Sequence, residues 1–221
     1  MKSTLTKIAL HSILLLGSSL MALDIDVKIT NATSGISFTP LLVSAHNGTT
    51  SLFSEGSAAS ANLKSMAEGG DITGLVSDLT ATSANIVQNP AAGLLSSGAS
   101  TTASLTTSIG NDYLSITAMM LPSNDGFVAM NAIKIPTNIG TYHYELNAYD
   151  AGTEANDELA GSIPALATGS GGTGVSSTIE GFVHIHRGNI GDFNTVGGIS
   201  DLDASLHRFL NPVASVTITV K

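Results

Sequence analysis

The chain has 221 residues with a formal net charge of −9, only 11% charged residues, no cysteine and no tryptophan. That length buries a core without disulfides, and the absence of cysteine excludes disulfides, thiol catalysis and zinc–thiolate sites. So acidic a chain cannot neutralise many phosphates, which excludes nucleic acid as a partner.

The first 22 residues read as a signal peptide. Lys2 and Lys7 precede an apolar run from Ile8 to Leu16, and small and apolar residues follow up to Ala22. A basic start, a short apolar centre and a small residue at the cleavage point are the marks of an export signal. The run is too short, and too interrupted by His11 and Ser12, to span a membrane comfortably. Residues 1–22 are thus expected to be removed and 23–221 to form one domain, secreted or periplasmic, with no transmembrane segment after cleavage. An exported chain without cysteine fits a bacterial envelope or secreted protein.

Next, Leu23, Ile25, Val27 and Ile29 alternate with Asp24, Asp26, Lys28 and Thr30, the period of a half-buried strand. A short extended segment is expected within "SFTPLLVSAHN". Helices are expected over 59–69 and 71–84, with Asp71 as a cap and Gly69–Gly70 as the break between them. The Ser/Thr-rich stretch 85–111 reads as loop with a strand near "TASLTTSI". Strands follow over 113–121 and 127–135, joined by the turn formers Pro122, Asn124, Asp125 and Gly126, and another spans "GTYHYELNAYD". Residues 159–179 are small and Gly-rich, "EGFVHIHRG" holds a short strand, and Ala214, Val216, Ile218 and Val220 alternate in the last one. Strands joined by turns, with few helices among them, predict an all-β protein, an antiparallel β-sandwich.

Two groups of side chains stand out. "AYDAGTEANDE" places Asp150, Glu154, Asp157 and Glu158 within nine positions of a chain otherwise sparing of charge. Gly152 lets the chain reverse, so that Asp150 and Glu154 meet, and Asp125 supplies a third carboxylate if its turn lies at the same end. Such oxygens suit calcium; turn acids that merely satisfy backbone donors are the alternative. Asp157 and Glu158 read as solvated loop charges or outer-sphere groups. The second group is His184 and His186, two apart on a strand and so on one face. With His46 as a possible third ligand they suggest copper or zinc. No nucleophile elbow, HExxH or phosphate loop occurs, and an Asp125–Asp150 glycosidase pair would lack the aromatic cleft such enzymes use. A non-catalytic protein is expected.

Three stretches in order, "LPSNDGFVAMNAIKIP", "LNAYDAGTEANDE" and "NPVASVTITV", resemble the spondin N-terminal domain, and the whole arrangement resembles bacterial secreted proteins made of that single domain. The resemblance implies a C2-like sandwich of about eight strands with short helices in its connections and a calcium ion held by loops at one end. Asp125, Asp150 and Glu154 match the calcium-binding positions, with Glu154 where the family usually has Asp and Gly126 where it usually has Trp. It also implies adhesion or interaction with a protein or glycan at the cell surface or in the envelope. The alternative function is periplasmic transition-metal binding through His184 and His186.

Overall fold

The computed structural model describes residues 22–164, 166, 176–194 and 197–221. The expected signal peptide, apart from Ala22, and residues 165 and 167–175 of the Gly-rich stretch lie outside the described residues. The described chain forms ten strands and two helices. In order they are β1 (Asp24–Asn31), β2 (Ser37–Phe38), β3 (Leu42–His46), α1 (Ala61–Gly69), α2 (Thr73–Ala81) and β4 (Asn85–Gln88). There follow β5 (Ser100–Thr106), β6 (Tyr113–Leu121), β7 (Gly126–Lys134), β8 (Gly140–Asp150), β9 (His184–Ile185) and β10 (Ala214–Val220).

Every strand pair is antiparallel, and the path through the sheet runs β4-β3-β6-β7-β8-β10-β1-β5, with β2 beside β6 and β9 beside β8. β8 is the corner of the molecule. Its first part, Gly140 to Leu146, pairs with β10, whereas Asn147 to Asp150 pairs with β7. The two ends of the path also meet: the Asn85 side chain accepts the Ser108 N–H at 2.7 Å and is bonded by Asn111 Nδ2 at 2.9 Å. The sheet thereby folds back on itself into a nearly closed sandwich, the expected all-β architecture.

Strand alternation sorts the side chains into two cores. Ile25, Val27, Ile29, Val43, Ile116, Ala118, Val128, Val216 and Ile218 fill the space between the facing sheets. On the outer face of β3, β6 and β7, Leu42, Met119, Phe127 and Ala129 pack against Leu63, Met66, Leu75 and Leu79 of the helices. β6 is consequently buried from Leu114 to Met120, which is why it reads as a continuous apolar run.

Local signals set the helix ends. Ser60 accepts the Leu63 N–H at 3.1 Å and Gly70 closes α1 at φ +71°, the left-handed position glycine favours. The N-cap of α2 is Ile72 and not the expected Asp71, which lies one residue earlier and accepts the Thr73 N–H at 2.9 Å. β4 falls where loop was expected, and the "EGFVHIHRG" strand shrinks to two residues.

Candidate metal centre

The turn between β6 and β7 and the chain leaving β8 lie side by side because Gly126 is opposite Asp150 in the register. Ser123 Oγ accepts the Gly126 N–H at 3.1 Å and donates to the Met120 carbonyl at 2.6 Å, closing the turn. Asp125 then points into the β8 exit: Oδ2 accepts the Thr153 N–H at 2.7 Å, the Glu154 N–H at 3.0 Å and the Thr153 hydroxyl at 3.2 Å. Asp150 is fixed equally well, Oδ1 accepting the Gly152 N–H and Oδ2 the Asn156 side-chain amide, both at 2.7 Å. Gly152 has φ +67°, and a Cβ there would overlap the Phe182 carbonyl. A tight left-handed turn therefore holds the β8 exit against the backbone at Phe182.

Asp125, Asp150 and Glu154 are at most 1% exposed. Asp125 Oδ1 is fully shielded and meets no hydrogen-bond partner among the described residues. Burial, and then the Asp150 charge, push the Asp125 carboxyl above the ordinary carboxylate range against the pull of its three donors. Burial does the same to Asp150. Carboxylates so placed are costly when ionised without a counter-charge, and a bound cation would supply one.

The two histidines reach this same end. His184 lies opposite Asp150 across β8 and β9, its Nε2 3.7 Å from Asp150 Oδ1. His186 packs on Phe209 with ring centroids 5.0 Å apart, and a Cβ on Gly126 would come within 3.0 Å of its ring. Glycine at position 126 thus makes room for His186. Burial pushes the His186 pKa down from 6.5 to about 4. The unfolded chain then binds this proton first, so stability is lost as pH falls from 6.5 towards 4. With metals chelated, wild type is expected to lose about 3 kcal/mol relative to His186→Gln across that window, measured by urea denaturation at each pH.

His46 does not join them. It pairs with Tyr113 at the opposite end of β6, donates from Nδ1 to the Asn47 carbonyl at 2.9 Å and accepts from Ser115 Oγ on Nε2 at 2.8 Å. Both ring nitrogens are committed, so His46 is a buried structural residue, and its place as a possible third ligand beside His184 and His186 is corrected.

Two glutamates carry more than the sequence suggested. Glu158, expected to be a solvated loop charge or an outer-sphere group, is buried and accepts the Ile190 N–H at 2.5 Å, the Gly191 N–H at 2.8 Å and the Ser200 hydroxyl at 2.7 Å. It anchors the chain at Ile190, Gly191 and Ser200. Asp157 likewise accepts from Asn124 Nδ2 and the Ser162 hydroxyl, tying the two loops. Ser200→Ala is expected to cost about 1.5–3 kcal/mol, the range for a hydrogen bond to a charged group, read from urea denaturation. Glu180 was not foreseen: its carboxylate, that of Asp150 and a His184 nitrogen lie within 4.8 Å of one another. Nothing in "SSTIEGF" distinguishes it locally; only the fold brings it to Asp150.

Among protein families, the one described as Spondin_N matches residues 30–162. No curated protein matches the chain. The matched span includes Asp125, Asp150 and Glu154 and ends before Glu180, His184 and His186.

Proposed function

The chain belongs to the spondin N-terminal domain family, and we propose that it is a non-catalytic interaction module, exported to the cell envelope or beyond, whose loop end is held together by calcium. The observation that carries this reading is the buried Oδ1 of Asp125, shielded from water and without a hydrogen-bond partner among the described residues. With Asp150 and Glu154 it offers the hard oxygen donors that calcium takes, and the longer side chain of Glu154 still supplies a carboxylate. Calcium would neutralise acids that burial otherwise disfavours and would lock the β6–β7 turn to the β8 exit. That stiffening prepares the loops around it for a protein or glycan partner at the cell surface.

Export rests on the signal-like first 22 residues and on the family, whose domains are generally extracellular. No helix among the described residues is long and apolar enough to cross a membrane. The second reading, transition-metal binding through histidine, loses His46 but keeps His184 beside a carboxylate.

Elemental analysis of protein equilibrated with calcium and gel-filtered tests the proposal. About one bound calcium per chain is expected for wild type and none for Asp125→Asn. Wild-type protein carrying no calcium would refute it.

A further inference from the structure

Where β9 meets the end of β8, a second set of ligating atoms converges at Asp150. The ligand atoms of Asp150, Glu180 and His184 are all within 4.8 Å of one another, and Asp150 itself is 1% exposed. The backbone sets the tautomer of His184. Its Nδ1 is 3.0 Å from the Ile185 carbonyl, which can only accept, so Nδ1 carries the proton and Nε2 presents its lone pair. That Nε2 is shielded from solvent and meets no hydrogen-bond partner among the described residues. An imidazole steered by a backbone carbonyl, with its other nitrogen turned towards carboxylates, is the usual posture of a metal-ligating histidine.

His186 is different in kind. It is 6% exposed, and its Nδ1 accepts the Gly188 N–H at 2.9 Å. The neutral ring therefore carries its proton on Nε2 and has no lone pair to offer there. That N–H is also buried without a partner among the described residues. Both rings line a cavity of about 300 Å³ shared with Asp150, Glu180, Arg187 and Arg208. The cavity thus carries one nitrogen lone pair beside the carboxylates of Asp150 and Glu180, with Glu158 also on its lining, and the unmatched His186 donor on its wall.

We propose that Asp150, Glu180 and His184 bind a first-row transition ion of the zinc class, with the cavity side of the ion left to water or to an oxygen of a further ligand. Three protein ligands of one nitrogen and two carboxylate groups, plus an open position, suit zinc, cobalt or copper. Calcium is served by oxygen and gains nothing from imidazole. His186 is a donor towards whatever occupies the open position and not a ligand. The site shares Asp150 with the calcium reading but depends on neither Asp125 nor Glu154.

The test uses Co²⁺ as the probe, added to full-length mature protein stripped of metals. Wild type is expected to develop visible absorption bands that differ from those of aqueous Co²⁺ and saturate with added ion. His184→Ala and Glu180→Gln should each weaken binding by about tenfold or more, and His186→Gln should leave it within about threefold of wild type. Glu180 is exposed, so its variant keeps the fold, which near-UV circular dichroism checks for all three. An aqueous Co²⁺ spectrum with wild type, or wild-type affinity in His184→Ala, would overturn the inference. If calcium still raises the melting temperature in that event, the calcium reading stands alone. Co²⁺ bound through His184 in a protein indifferent to calcium supports the inference and removes that reading.

Discussion

Replacing Gly152 with alanine is expected to destabilise the metal-free protein by about 4 kcal/mol, combining left-handed strain with overpacking. At φ +67° the residue occupies the left-handed region, and a Cβ would overlap the Phe182 carbonyl and lie 2.7 Å from the Phe182 nitrogen. Neither neighbour is a pliable side-chain tip, so the backbone has to move. Because the Gly152 carbonyl also accepts the Gly181 N–H at 2.9 Å, that movement would separate the β8 exit from the segment bearing Glu180 and His184. Gly161→Ala is the control: a Cβ there meets nothing within 4 Å, and a change within about 0.5 kcal/mol is expected. Urea denaturation of both variants with metals chelated measures the difference. Equal stabilities would contradict the close approach at Gly152.

Calcium is the other large effect expected. An ion that binds only the folded state stabilises it by about 4 kcal/mol at a thousand times its dissociation constant. For a domain of this size that corresponds to a rise in melting temperature of about 8–16 °C. EDTA should reverse the rise, and Asp125→Asn should abolish it while leaving the metal-free melting temperature near or above that of wild type. The sign follows from the carboxyls. Asp125 and Asp150 have folded pKa values raised above 3.8, so the folded state holds their protons more tightly and stability falls as pH rises through those raised values. Removing one charge relieves that cost, and removing the ligand forfeits the cation. A calorimetric scan in each condition separates the two.

Much of the fold is legible in the sequence because several strands are defined by local pattern. β6 and β8 begin and end where expected, since an apolar run and a long alternating run are each bounded by turn-forming residues. β4 is not legible: "NIVQ" is four residues of partly exposed chain, and its strand state comes from pairing with β3 and from the Asn85 side chain, partners distant in sequence. β9 is cut to two residues because only His184 and Ile185 find a partner on β8.

The same division runs through the site. Asp125, Asp150 and Glu154 are singled out by turn residues, Gly152 and the family resemblance together, and the structure buries all three. His184 and His186 could be picked out as a pair, but their difference in tautomer depends on the Ile185 carbonyl and the Gly188 N–H. The burial of Glu158 was not legible because a charge in a polar loop looks solvated until Ile190, Gly191 and Ser200 close on it. His46 was misassigned for the converse reason: its partners Ser115 and Asn47 already satisfy it, which no spacing rule reveals.

The calcium reading is tested most directly by the anomalous difference map of crystals grown with calcium. It predicts a peak about 2.3–2.6 Å from Asp125 Oδ1 with carboxylate oxygens of Asp150 and Glu154 in its coordination shell. A saturating calcium concentration that leaves this position without a peak, or places the ion away from Asp125, would contradict it.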